Sequence, residues 1–164
     1  MKKGMFGSVI IALLSMVSVS AFSADSSWNV DANGLWTAPA NWTGNVVPGA
    51  TSGTTDNTDT ATFSTSLTTT RTITLDTGRN VQSIYFGNTA LQGYILTGGS
   101  LVLSNNGTII NEATTNNAQN TISSSIQLQS NATFTSNNQS QLQIGAVTGV
   151  AGSATLLTLP PASE

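Results

Sequence analysis

The chain has 164 residues, enough for one domain, and only 7% of them are charged, against roughly 25% in ordinary soluble domains. It holds no histidine and no cysteine, which excludes a disulfide framework, a thiolate or His-based zinc site and a His-containing triad. Beyond Lys2 and Lys3, two arginines stand against seven acidic residues, a net charge of −5. That is too few cations to neutralise nucleic acid or to dock on anionic lipid.

Lys2 and Lys3 precede a segment free of charge, Gly4 to Ala24, whose centre, VIIALLSMV (9–17), is strongly apolar. Small residues follow, and Val19-Ser20-Ala21 and Ala21-Phe22-Ser23 each offer a small-residue cleavage site. This pattern predicts a secretory signal peptide over 1–23 and a periplasmic, cell-surface or secreted destination. The alternative, an uncleaved anchor, meets the difficulty that the apolar core is shorter than the ~20 residues a helical span needs. No second apolar run follows, so no membrane-spanning helix is expected after cleavage.

Residues 24–56 hold all three tryptophans, Trp28, Trp36 and Trp42, among dense turn signals such as Asn33-Gly34 and Pro48-Gly49. They predict an N-terminal cap, because the end of a stack of β-coils must be covered and tryptophan buries much area per residue. The same rings also suit a carbohydrate-stacking surface, since sugar faces pack on flat aromatic rings.

Residues 57–159 alternate short apolar and polar positions, closed by Gly, Asn or Asp. Strands are expected at 61–64, 72–76, 81–86, 94–97, 100–103, 108–111, 121–128, 132–135 and 141–144, with a tight turn at Asn106-Gly107. Ile73, Ile95, Ile122 and Leu142 recur at a coil-like spacing of about 20–27 residues. Outward positions are mostly Thr, Ser, Asn and Gln, which can stack on themselves between coils, and low charge avoids like charges ~4.8 Å apart. The expected fold is all-β, a parallel β-helix (solenoid) of four or five coils with a Trp-rich N-terminal cap. A β-sandwich is the alternative. Pro160-Pro161 breaks any strand, leaving 160–164 as an irregular tail.

Several segments in order carry a family resemblance. They are WNVDANGLWTAPANWTGNVVPG (28–49), TDTATFS (58–64), TITLDTGRNVQSIYFGN (72–88), YILTGGSLVLS (94–104) and NTISSSIQLQSNATFTSNNQSQLQIGAVTG (120–149). Together these resemble the N-terminal passenger region of autotransporter-type proteins with autotransporter-associated β-strand repeats. The resemblance implies a right-handed parallel β-helix carried to the cell surface by a C-terminal outer-membrane barrel. The family's Gly-rich repeat after the last segment is missing, and so is the barrel, which needs at least eight strands of about ten residues. A truncated passenger lacking its translocator is therefore expected.

Candidate chemistry is sparse. Asp76 and Arg79 flank a Thr77-Gly78 turn and are expected to form a solvated pair rather than an active site, and Glu112 stands alone. Asp31-Ala32-Asn33-Gly34 and Asp56-Asn57-Thr58-Asp59 each supply two or three of the six to eight oxygens calcium wants, and Asx turns explain both. Asn41, Asn106, Asn131 and Asn138 begin N-x-Ser/Thr triplets, which arise by chance in so Asn- and Thr-rich a chain. The expectation is a non-catalytic, structural or adhesin-like surface segment, with no cofactor and no metal site. Its partners would be surface glycans or host or abiotic surfaces. The alternative is a carbohydrate-binding module using Trp28, Trp36 and Trp42.

Overall fold

The alternating pattern folds, in a computed structural model, into short strands stacked as a parallel β-solenoid of about four turns. The structure describes residues 23–51, 57–114, 118–137, 139–149 and 156–157. The predicted signal segment up to residue 22, Asp56, Asn138 and the 160–164 tail lie outside the described residues.

The strands in chain order are β1 (Ser26–Ser27), β2 (Gly34–Leu35), β3 (Thr60–Phe63), β4 (Arg71–Leu75), β5 (Arg79–Phe86), β6 (Tyr94–Gly98), β7 (Ser100–Asn111), β8 (Ala118–Ile122), β9 (Ser125–Leu128), β10 (Thr133–Ser136), β11 (Ser140–Ile144), β12 (Val147–Gly149) and β13 (Leu156–Leu157). Every strand pair among the described residues is parallel, which sets aside the sandwich alternative. One face runs β2-β4-β6-β8-β11. A second stacks the first halves of β5 and β7 on β9 and β12. The third stacks β1, β3, the second halves of β5 and β7, β10 and β13. From β3 to β11, register partners in successive coils stand 22 to 26 residues apart, whereas the capped first coil is longer, pairing Ser26 with Ala61 and Gly34 with Ile73.

Inward residues form columns. Ala61, Ile84, Ile109 and Phe134 stack on one face, and Ile73, Leu96, Ile122 and Ile144 on another. Ile73, Ile84, Leu96 and Ile109 are wholly buried, worth about 1.5–3 kcal/mol each relative to exposure. The column membership corrects the repeat set expected from spacing. Ile95 pairs with Thr72 and Thr121 on an outward row, one residue away from the true member, Leu96. Leu142 pairs with Asn120, two residues before the true member, Ile144. Adjacent apolar residues at 95 and 96 made spacing alone a poor guide, because a slip of one residue exchanges the two faces of a strand.

The corners are made locally. In β7, Asn105 and Asn106 adopt φ of 55° and 56°, a conformation asparagine tolerates better than most residues. Val81 pairs with Leu103 while Ser83 pairs with Thr108, so β7 carries extra residues and bends around the coil. The expected tight turn at Asn106-Gly107 is thus a corner within one coil, not a chain reversal, since neighbouring strands run parallel. The expected strand 121–128 divides for the same reason into β8 and β9, each on its own face. At the 98–99 corner a Cβ on Gly99 would lie 2.1 Å from the Asp76 carbonyl oxygen of the adjacent coil, which leaves room only for glycine.

Candidate functional site

The three tryptophans close the N-terminal end. Two single 3-10 turns, Pro39–Asn41 and Thr43–Asn45, fold the segment back on itself, the second with Gly44 at φ 68° and Asn45 at φ 58°. An antiparallel bridge then joins Trp28 to Trp42. Trp28 meets Trp42 edge to face at 5.3 Å and 88°, and Trp36 lies 4.9 Å from Trp42. Phe63 of β3 sits beneath, 5.7 Å from both Trp36 and Trp42, and stacks on Phe86 at 5.3 Å. The Trp36 Nε1–H donates to the Pro48 carbonyl at 2.9 Å, and that of Trp42 donates to the Trp36 carbonyl at 2.6 Å. Trp28, Trp36 and Trp42 are each 0% exposed. No ring presents a face to a sugar in this arrangement, and a stacking platform built from them would require the cap to open.

A second cluster ties the cap loop to the first coils. The Arg79 guanidinium donates to both oxygens of Asp76, at 3.0 and 2.8 Å, and to the Gly49 carbonyl at 2.7 Å. Its side chain is 6% exposed and that of Asp76 is 25% exposed, so the pair expected to be solvated is buried on the arginine side. The reason is positional. Arg79 occupies the inward column of Leu101 and Ile126, at the top of the stack, where the cap loop closes over it. Gly49 has φ of 82°, and a Cβ there would meet the Asn80 carbonyl oxygen at 2.5 Å, so only glycine lets the loop lie this close. Ala50 of the same loop forms an antiparallel bridge with Asn80, whose Oδ1 accepts from the buried Ser104 hydroxyl at 2.8 Å.

Asp59, 7% exposed, joins three segments. Its Oδ1 accepts from the Ala24 N–H at 2.7 Å, and its Oδ2 accepts from the Gly49 N–H at 2.8 Å and from the Asn57 amide at 3.3 Å. Its own N–H donates to Asn57 Oδ1 at 2.7 Å, an Asx turn. Asp31 accepts from Arg71 Nε at 2.6 Å and from the Thr68 hydroxyl and N–H, and these donors lower its carboxyl to about 2. Asn33 Oδ1 accepts from the Thr72 N–H. The side-chain oxygens of Asp31, Asn33, Asn57 and Asp59 weighed as calcium ligands are thus turned onto the chain's own donors, and the described residues bring no three metal-ligating side chains together. Glu112 is not alone: it accepts from the Tyr85 hydroxyl at 3.0 Å, which raises the Tyr85 pKa.

Spacing did not reveal one further cluster. Between the third and first faces lies a buried amide network. Asn120 Nδ2 donates to Asn88 Oδ1 at 3.0 Å and to Asn111 Oδ1 at 2.9 Å, while its Oδ1 accepts from the Tyr94 N–H. Asn111 Nδ2 reaches the Ser136 and Ser140 hydroxyls at 3.0 and 2.9 Å. Asn137 Oδ1 accepts from the Ser140 hydroxyl and its Nδ2 donates to the Ala113 carbonyl. The available signal was an asparagine ending strand segments a coil apart, as in FGN (86–88) and IIN (109–111).

Among the described residues no helix is long and apolar enough to cross a membrane. No protein-family model matches the chain, and neither the curated proteins nor the solved structures yield a match.

Proposed function

We propose that this chain is an exported, non-catalytic scaffold: a cell-surface or secreted β-solenoid segment of the autotransporter-passenger kind, with an adhesin-like role. The observation that carries this reading is how the chain's reactive side chains are used. Asp31, Asp59 and Asp76 hold backbone or arginine donors, Arg79 is buried in the cap closure, and the three tryptophans seal the first coil. What remains outward are polar rows such as Thr60, Ser83, Thr108 and Thr133, stacked coil on coil. Contacts with surface glycans or with host or abiotic surfaces would fall along these rows, where hydroxyls repeat at the inter-coil spacing of about 4.8 Å.

Lys2, Lys3 and the apolar 9–17 segment supply the export half of the proposal. Producing the full chain in a Gram-negative host and fractionating the cells tests it. A shortened chain in the periplasm, on the surface or in the medium is the expected result. Full-length protein confined to the cytoplasm overturns it. Turnover of a polysaccharide by the purified chain would overturn the non-catalytic half.

A further inference from the structure

We propose that the Ser23–Ala24 bond is the processing site and that Asp59 is a built receptor for the new α-ammonium group of Ala24. The inference rests on the export reading and deepens it, by giving the removal of residues 1–23 a structural consequence. Ala24 N lies 2.7 Å from Asp59 Oδ1, the shortest contact to that carboxylate among the described residues. Asp59 is 7% exposed, yet among the described residues its carboxylate meets only uncharged N–H donors, with neither arginine on it. Arg71 and Arg79 are committed to Asp31 and Asp76. A carboxylate buried without a counter-charge is costly, and a cation delivered to it offsets that cost. Ser23 is exposed, and Ala21 and Ser23 are the small residues that the −3 and −1 positions of such a site require.

In the uncleaved chain Ala24 offers one neutral N–H. Hydrolysis adds water across the amide: the hydroxyl goes to the Ser23 carbonyl carbon, the C–N bond breaks, and the freed amine takes up a proton. Ser23 leaves as a carboxylate, and Ala24 gains a positive charge already within hydrogen-bond distance of Asp59. Asp59 also holds Gly49 of the cap loop, and its carbonyl accepts from Gln82 and Ser83 of β5. Cleavage therefore tightens the junction of the N-terminal strand, cap loop and first full coil. The cap reaches full stability only after the leader is gone.

The sequence supplies a clean probe. Lys2 and Lys3 are the only lysines, so a chain beginning at Ala24 has one primary amine. N-terminal sequencing of the exported protein should start at Ala24. A start at Phe22 overturns the assigned bond. A chain that is neither exported nor cleaved overturns the export reading on which the assignment stands. The purified exported protein is then acetylated at its amine, which restores a neutral N–H without adding residues. The acetylated form should melt about 2–6 °C lower, the size of shift expected for losing one ion pair in a domain of this length. In the exported Asp59→Asn protein, acetylation should leave the melting temperature unchanged. The amine should also react more slowly with the acylating reagent in native than in urea-unfolded protein. Equal melting temperatures, a drop that persists in Asp59→Asn, or equal reaction rates would each overturn the ion pair. If Asp59→Asn yields no folded protein, the wild-type acetylation and reactivity measurements decide the matter alone.

Discussion

The two ends of the solenoid are held by different physics, and one inward column displays both. Phe63 stacks over Phe86, then the column continues as Asn111 and Ser136. At the capped end, area and ring geometry dominate. Phe63 lies within 6.4 Å of three tryptophans, Phe86 and Tyr94, and such contacts tolerate some sliding. From Asn111 onward the interior becomes directional, because each amide must find a donor and an acceptor at fixed distances. The difference teaches a division of labour. The aromatic end closes the stack with large, wholly buried rings. The amide network supplies little net energy and sets coil register, since a slip of one residue would strand several buried polar groups at once.

Substitutions on either side of that boundary probe the comparison. The largest effect belongs to the aromatic end: Trp42→Ala should lose about 3–5 kcal/mol, measured by urea denaturation, as a large cavity opens under the cap. Retention on immobilised glycans should follow the folded fraction alone. A loss of retention with an unchanged melting temperature would instead support a sugar platform at Trp28, Trp36 and Trp42. In the polar half, Asn120→Leu should cost about 2–3 kcal/mol, because it removes the partners of the Tyr94 N–H, Asn88 and Asn111. Asn111→Phe extends the aromatic column by one coil. It should still destabilise, by about 1–3 kcal/mol, through crowding and the orphaned Asn120 and Ser140 groups. A stabilised Asn111→Phe variant would show that the boundary is arbitrary.

Titration gives the smaller effects. Burial among the aromatic rings pushes the Tyr94 hydroxyl up to about 12. Its folded value lies above the unfolded one, so the stability it contributes is complete below pH 10 and fades as pH rises towards 12. Tyr94→Phe should remove that alkaline loss in a pH series of melting temperatures. Asp31 is the opposite case, with a folded value of about 2 below the ordinary 3.8. Its contribution is present above pH 4 and disappears as pH falls through 2, so wild type and Asp31→Asn should converge in that window.

Much of this molecule was legible from alternation alone. The strands expected at 72–76, 81–86, 94–97 and 141–144 lie within a residue or two of β4, β5, β6 and β11. Turn-rich glycine and asparagine marked the corners, and their parallel sense followed from coil-length repetition. Register was not legible where Ile95 and Leu96 stand side by side, because hydropathy cannot say which one faces inward. The burial of Arg79 was hidden for a different reason. Sequence shows a turn with a charged pair, whereas the inward position arises from the loop at Pro48 and Gly49, thirty residues away. The amide network was equally invisible as such, since asparagine reads as a turn former until its coil-to-coil neighbours are known.

The parallel coil register has a consequence for how the chain comes to be folded. Strands inside the stack pair with a segment one coil earlier and one coil later, so among the described residues no strand pairing closes a loop longer than that between Gly34 and Ile73. Such a chain has nearest-neighbour energetics, and its assembly can propagate as a zipper from one stable seed. The tryptophan closure lies at the amino-terminal end, where it can act as that seed. A polypeptide threaded through a narrow passage amino end first would then fold on the far side in the order it arrives, each new turn templated by the last and resisting backward slippage.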